Sequence, residues 1–204
     1  MNANQLPSAF RTLSEEYKRH GFSLYLIGGT SRDLLLGIEP SDMDFVTDAT
    51  PEQERPFLPG ANYRFAEYGS IKVQWEGQSI DVTTLRKESG YADHRHPSHI
   101  EFIDSLEEDS LRRDFTINAL YVDENGNVFD FHGGLRDLEN KTIRFIGDPK
   151  TRILEDPLRI LRAERFASRL GFSIEPKTQE AMDLLRGELS KLNPEKVSME
   201  KKKV

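Results

Sequence analysis

The sequence predicts an α+β head followed by a helical segment, and three observations carry that reading. Two runs, "SIKVQWEGQSIDVTTLR" and "LYVDENGNVFDF", alternate around turn residues in the manner of hairpins. A buried-strand pattern, "SLYLIGG", is followed at once by a short helix signal. Beyond about residue 149 the strand signals vanish and helical patterns take over. The expected boundary therefore lies between residues 148 and 149.

Taken in order, "SLYLIGG" reads as a strand ending on Gly28-Gly29, and "TSRDLLLG" as a short helix with a Thr/Ser start and Gly37 at its end. "DMDFVTD" is a second strand. The first hairpin turns about Glu76-Gly77-Gln78. "RKESGYADHRHPSH" is polar and contains Gly90 and Pro97, which predicts a mobile loop. Ser105 and Glu108 have capping-box spacing, so a helix begins near them. In the second hairpin Asn125-Gly126 suits the positive φ angles of a type I′ turn. "DPLRILRAERFASRLG" and "PKTQEAMDLLRGELSKL" read as helices with Pro at or near their first turns.

At 204 residues the chain is long enough for one large domain or two small ones, since domains run to about 100 to 200 residues. It has no cysteine, which excludes disulfides and thiolate metal sites. The N-terminal stretch lacks the apolar core of a signal peptide, and no run approaches the roughly 20 apolar residues that span a bilayer. The expectation is a soluble, cytoplasmic protein with no membrane association and no obligate protein partner. Charge is divided unevenly: residues 1–140 hold 13 Lys and Arg against 25 Asp and Glu, a net of −12, while residues 141–204 hold 15 against 10, a net of +5. An acidic part able to hold cations joined to a basic part able to hold phosphates suits a nucleotide enzyme; a solvated acidic surface is the plainer alternative.

The densest chemistry lies in "LIGGTSRDLLLGIEPSDMDFVTDAT". Gly28 and Gly29 let backbone N–H groups approach an anion at the positive end of the following helix, and Arg32, one turn in, adds a charge-assisted contact to phosphate. Asp42 and Asp44, two apart in a strand, present two carboxylates to one point, a donor set suited to Mg²⁺. A Gly-Gly pair alone is a turn and an isolated D-x-D is polar surface. Their combination in this order is far rarer.

"GGTSRDLLLG" followed by "SDMDFVT" resembles the signature of the class II tRNA nucleotidyltransferases, the CCA-adding enzymes, and of the related bacterial poly(A) polymerases. "LRRDFTINAL", "FDFHGGLRDLENKTIRFIGDP" and "EDPLRILRAERFASRLGF" resemble further motifs of that family in the same order, so the resemblance reaches from about residue 21 to residue 200. It implies a polymerase-β-like nucleotidyltransferase head, a mixed sheet with flanking helices, over residues 1–148, and an all-helical neck over 149–204. It also implies that Asp42 and Asp44 bind catalytic Mg²⁺, that Gly28, Gly29 and Arg32 meet the triphosphate, and that the second motif (Arg112, Arg113, Asp114, Asn118) meets the nucleotide sugar and phosphates. Either arginine of that motif fits the role, and either can instead pair with Glu108 or Asp109. Asp81 is a third carboxylate for the metal site or a solvent-facing strand residue.

Base choice follows from chemistry. An aspartate accepts only and an arginine donates only, so Asp156 opposite an amino group and Arg159 opposite a ring nitrogen satisfy both cytosine and adenine and oppose guanine and uracil. Three residues apart on a helix, the two share a face. An acidic residue before Pro157 also caps the helix, and the two readings are compatible. Glu155, Arg162 and, less directly, Arg165 complete the nucleotide-binding candidates.

The loop matches an element that CCA- and A-adding members possess and CC-adding members tend to lack. His94, His96 and His99 lie in it without a cysteine, so a solvated or RNA-facing loop is favoured over zinc; Tyr91 and Arg95 are candidate RNA contacts. The family's body and tail domains are expected after the neck, so the chain reads as a catalytic core portion or as an unusually short member. The expected activity is template-independent, Mg²⁺-dependent transfer of CMP and AMP from CTP and ATP to the tRNA 3′ end. A-adding or poly(A) polymerase activity is the near alternative, and a non-catalytic nucleotide- or RNA-binding fragment the alternative of another class.

Overall fold

The computed structural model describes residues 5–90 and 99–202; Tyr91, His94, Arg95 and His96 lie outside the described residues. The chain forms two compact units. Among the described residues, the first comprises those up to Lys87 with Ile100–Arg112 and Asn118–Phe131, and the second comprises those of 88–99, Arg113–Ile117 and those from His132 onward. The expected 148/149 boundary falls inside the second unit.

The first unit opens with helix α1 (Ser8–Arg19), whose Ala9, Phe10, Leu13 and Tyr17 form one buried stripe. There follow β1 (Leu24–Leu26), α2 (Gly28–Leu35), β2 (Met43–Thr47), α3 (Pro51–Glu54), β3 (Asn62–Phe65), β4 (Ser70–Trp75) and β5 (Gln78–Thr84). A ribbon of β6 (Arg86–Ser89) and β7 (His99–Phe102) comes next, then α4 (Leu106–Ser110), β8 (Leu120–Val122) and β9 (Val128–Asp130). Seven strands form one mixed sheet in the order β3-β4-β5-β2-β1-β8-β9. Within it β2 and β5 run parallel, Asp44 opposite Asp81, while β4 and β5 run antiparallel, Lys72 opposite Asp81. Strict alternation assigns the two faces. Phe45, Ile71, Val73, Ile80 and Val82 join the α1 stripe in the main core, and Asp44, Lys72, Asp81 and Thr83 stand on the other side.

Local chemistry moves several expected boundaries. Helix α2 starts at Gly28, two residues before Thr30, because the Thr30 hydroxyl is not a cap: it donates to Asp42 O (2.9 Å) and accepts from Asp44 N (2.8 Å), tying α2 to β2. The first four residues of the polar segment, Arg86–Ser89, form β6 instead of loop. At the β4–β5 turn both Glu76 (φ 48°) and Gly77 (φ 77°) adopt the left-handed conformation that a primed hairpin turn needs. The β8–β9 hairpin forms as expected, but its turn is not type I′: Gly126 has φ 82°, whereas Asn125 keeps a negative φ. The cause is Asp123, whose carboxylate accepts from the N–H groups of Asn125 (2.9 Å) and Asn127 (2.8 Å) and bends the loop around itself. Ser105 caps α4 by accepting from Glu108 N (3.3 Å).

The second unit contains α5 (Gly134–Glu139), β10 (Thr142–Ile143), α6 (Pro149–Glu155), α7 (Leu158–Leu170), β11 (Ser173–Ile174), α8 (Pro176–Leu185) and α9 (Pro194–Lys201). Strand character persists past residue 149, since β11 pairs in parallel with β10. Phe115 stacks on Phe145 with ring centroids 5.0 Å apart and meets Phe166 edge-on at 5.5 Å, which packs residues 113–117 and the segment before α6 with α7. Among the described residues no helix is long and apolar enough to cross a membrane.

Candidate active site

The first part of the site is the junction of α2 with β2. Ile27 N donates to Asp44 O at 3.1 Å, and the two Thr30 bonds close the same junction from the next turn. Gly28 has φ 67°, and a Cβ built on it would lie 3.5 Å from Asp44 Oδ2. The Asp44 carboxylate therefore sits beside the positive end of α2. Asp42 departs from expectation. It precedes β2 instead of lying in it, is exposed, and accepts from the Ser41 hydroxyl at 3.1 Å. The same-face partner that the sheet supplies to Asp44 is Asp81, across the parallel β2–β5 pair. Asp81 is half-exposed and held by Lys72, whose Nζ lies 2.7 Å from Oδ1 and 2.9 Å from Oδ2. Among the described residues no three carboxylates or histidines form a ready-made metal cluster.

Arg32 does not reach outward from α2. It is buried, its Nε donates to Asp33 (2.8 Å) and its Nη1 to Asn118 Oδ1 (2.7 Å), and its Nη2 lies 3.5 Å from where a Gly29 Cβ would stand. Its charge thus lies beneath the glycine pair, and Asn118 of the second motif orients it. Arg112 pairs with Asp109 at 2.9 Å, the alternative left open by the spacing. Asp109 is fully buried and also accepts from Arg86 N (3.0 Å) and the Tyr121 hydroxyl (2.7 Å).

In the second unit a carboxylate–guanidinium cluster gathers around α6 and α7. Asp114 Oδ1 accepts from Arg159 Nε (2.5 Å) and its Oδ2 pairs with Arg162 Nε (2.8 Å). Glu155 receives Arg152 Nη1 (2.6 Å) and Arg159 Nη1 (2.7 Å), and Arg159 Nη1 also reaches Arg152 O (2.6 Å). Arg152 Nη2 donates to the carbonyl of Arg113 at 2.9 Å. Burial alone would raise the Asp114 carboxyl, but Arg162 and Arg159 outweigh it and hold the group down to about 2. The same pairing raises both arginines against the desolvation that lowers them.

Asp156 and Arg159 do not share a helical face. Pro157 disfavours helical backbone at the residue before it, so Asp156 is extended (φ −150°, ψ 97°) and α7 begins afresh at Leu158. Asp156 Oδ1 caps the new helix through Leu158 N (3.1 Å), and Oδ2 accepts from Arg162 Nη2 (2.7 Å). Arg159 Nη2 takes part in none of these bonds. Arg165 faces elsewhere, paired with Glu200 at 3.1 Å. Sequence reasoning missed Lys72 and Arg152. Lys72 was within reach of it, because a two-residue turn at Glu76-Gly77 places Lys72 opposite Asp81.

A model of the poly A polymerase head domain matches residues 24–144. The CCA-adding enzymes of Bacillus licheniformis and Bacillus subtilis are 43% identical over 192 residues and 44% identical over 185. These matches cover 94% and 90% of this chain, and 48% and 46% of the relatives. Among solved structures, the Bacillus stearothermophilus CCA-adding enzyme in complex with CTP superposes with a TM-score of 0.86 at 34% identity, covering 96% of this chain and 48% of that one. A tRNA nucleotidyltransferase complexed with a primer tRNA and an incoming ATP analog gives 0.76 at 34% identity, covering 93% and 55%. The chain spans about half the length of the curated relatives it matches. With more than half of its residues inside that domain model, this chain belongs to the poly A polymerase head domain family.

Proposed function

We propose that the chain is the catalytic portion of a cytoplasmic, template-independent tRNA nucleotidyltransferase that adds CMP, CMP and AMP from CTP and ATP to the tRNA 3′ end. The observation that carries the proposal is the registered pair Asp44–Asp81 on the open sheet face, with Asp44 set against the Gly28-Gly29 start of α2. An acid pair beside an anion-binding helix start suits a nucleoside triphosphate with its divalent cation.

Mg²⁺ fits this donor set. Asp44 and Asp81 supply hard carboxylate oxygens from one side, and Asp42 stands just ahead of them. When bound, the cation supplies charge neutralisation for the triphosphate and activation of the hydroxyl nucleophile. The N–H groups at the start of α2 hold phosphate oxygens, with Arg32 adding positive charge from beneath. From the second motif Arg113 meets the sugar and phosphates, while Arg112, paired with Asp109, and Asn118, which holds Arg32, support the site from behind. The primer 3′ hydroxyl attacks the α-phosphate in line and pyrophosphate leaves, and positioning provides most of the acceleration. Asp156 accepts from the exocyclic amine of cytosine or adenine, and Arg159 donates to the ring nitrogen through Nη2. Asp114 and Glu155 fix the other edge of that guanidinium, which pre-organises the donor. A carbonyl in place of the amine, as in guanine or uracil, leaves buried groups unpaired at about 1 to 3 kcal/mol each.

The test is incubation with Mg²⁺ and a tRNA lacking its CCA end, with labelled CTP and ATP supplied singly and together. Two additions with CTP alone, completed by one with ATP, are expected. The match of residues 24–144 to the poly A polymerase head domain favours one second reading, A-addition or poly(A) synthesis, which ATP-only extension would show; nucleotide binding without extension would mark a binding fragment.

A further inference from the structure

We propose that the open face of the seven-stranded sheet, from Asp44 to the β3 edge, is a track for the single-stranded 3′ end of the RNA substrate, with Phe65 and Tyr68 as stacking platforms. The inference rests on the nucleotidyltransferase reading of the same site. Strand registers lay out the track: Asp44, Asp81, Lys72 and Asn62 are successive partners across β2, β5, β4 and β3. One step along, Val46, Thr83, Ser70 and Phe65 form the next row, covered at Val46 by Ile27, Leu85 and Tyr121 and open from Thr83 outward, with an irregularity between Asn62 and Phe65 that brings both onto the face of their β4 partners. Residues paired in register face the same side of a sheet, so the Phe65 side chain shares a face with the carboxylates. Three inter-strand spacings of about 4.8 Å separate its row position from that of β2, roughly 14 Å in all.

The edge of this track has the wrong chemistry for a solvated surface and the right chemistry for unpaired bases. Phe65 is 57% exposed and Tyr68 44%, large apolar rings with no core to fill. The Arg64 guanidinium lies 5.6 Å from the centroid of the Phe65 ring. The Arg86 guanidinium donates to the carbonyl of Tyr68. The half-exposed Phe102 ring packs so closely on Gly69 that a Cβ there would come within 2.6 Å of it, which extends the aromatic surface beside Tyr68. Aromatic rings interleaved with arginines are the arrangement by which proteins hold single strands without reading sequence, because every base offers a π face and every phosphate a charge. Lys72 lies between the carboxylates and the rings, and its ammonium, held on Asp81, offsets the negative charge that the phosphate behind the terminal nucleotide would otherwise meet there. The order along the face is then reacting end, phosphate, base platform. The commitment is to single-stranded RNA and not to a protein, since the aromatic edge is continuous along the sheet with the Asp44–Asp81 pair at which the RNA 3′ end reacts under the proposed function.

The test compares the whole chain with Phe65→Ser and with the double variant Phe65→Ser, Tyr68→Ser, using a fluorescein-labelled tRNA lacking its CCA end. Dissociation constants by anisotropy and KM values for RNA and for CTP are measured on each. Loss of one stacking contact is expected to weaken RNA binding about fivefold or more. KM for RNA should rise in parallel, while KM for CTP, circular dichroism and thermal midpoint stay at the parent's values. The proposal is overturned if RNA affinity and KM are unchanged, or if the variants instead lose self-association in sedimentation, which would make the patch an interface between copies. A parent chain that binds CTP but no RNA also overturns it while leaving the nucleotide site standing. A parent that binds neither overturns the functional reading itself.

Discussion

Replacing Asp114 by Asn removes the charge that Arg159 and Arg162 share while keeping the side chain's shape. Two routes give the magnitude. Asp114 is held down to about 2 against an ordinary 3.8, a difference that corresponds to roughly 2 to 3 kcal/mol of stability at neutral pH. Removing one partner of a buried pair costs about 3–5 kcal/mol, but Glu155 still holds Arg159 and Asp156 still holds Arg162, which points to the lower figure. The pKa is depressed on folding, so this stability is present above the ordinary value and is lost as pH falls through the folded one. The gap between parent and D114N should therefore close as pH falls from about 4 towards about 2. Thermal unfolding at neutral pH should show a midpoint lowered by roughly 4 to 10 °C. Because Arg159 loses the anchor on its Nε edge, incorporation assays with single nucleotides should also show weaker rejection of GTP and UTP. A variant with the parent's midpoint and the parent's selectivity would refute the view that Asp114 sets the base-reading arginine.

Asp44→Asn should remove detectable nucleotide incorporation while leaving the circular dichroism spectrum intact; an active D44N would end the assignment of the carboxylate pair. Arg159→Ala should blur discrimination between CTP or ATP and GTP or UTP, and retained selectivity would place base reading on other residues. Gly28→Ala forces a Cβ onto a residue at φ 67°, at about 1 to 2 kcal/mol; a lower thermal midpoint with a larger loss of activity is expected, and full activity would mean that the start of α2 holds no phosphate. Burial lifts Glu54 to about 8 despite the Tyr17 hydroxyl that donates to it at 2.5 Å, so the folded chain keeps a proton that the unfolded chain has lost. Stability should then fall as pH rises from about 5 towards about 8, at up to about 1.4 kcal/mol per unit. Urea titrations across that range should show a flatter slope for Glu54→Gln, and equal slopes would remove Glu54 as the cause.

What the sequence displayed was mainly what short-range chemistry controls. The hairpin at Glu76-Gly77 was legible because two residues with positive φ leave few alternatives, and its register then placed Lys72 on Asp81. The neighbouring case went differently: Asn125-Gly126 looked like the same turn, but a carboxylate two residues upstream captured the backbone N–H groups. Asp42 and Asp44 read as a same-face pair only on the assumption that both lie in the strand. The Thr30 bridge starts β2 at Met43, and the partner that the sheet supplies is Asp81, thirty-seven residues beyond Asp44 in the chain. Long-range pairing of this kind leaves no periodic trace. Neither does the tethering of Arg32 to Asn118, which turns an apparent outward phosphate ligand into a charge held under the backbone.

The basic character of residues 141–204 shows why counting charge is a weaker guide than pairing it. Their net of +5 suggests a surface for phosphates, yet the arginines along α6 and α7 are largely committed. Arg152 is bound to Glu155, Arg159 to Asp114 and Glu155, Arg162 to Asp114 and Asp156, and Arg165 to Glu200. A guanidinium fixed on two sides by carboxylates is a poor generic anion binder, since its charge is already neutralised and its planar fork cannot turn. It is a good reader, because only a partner that meets the remaining edge in the right orientation is accepted, and no reorganisation is needed when that partner arrives. Under the proposed base-reading role, the acids of this cluster do for specificity what a surface of unpaired arginines could not: they convert positive charge from a means of attraction into a fixed pattern of donors.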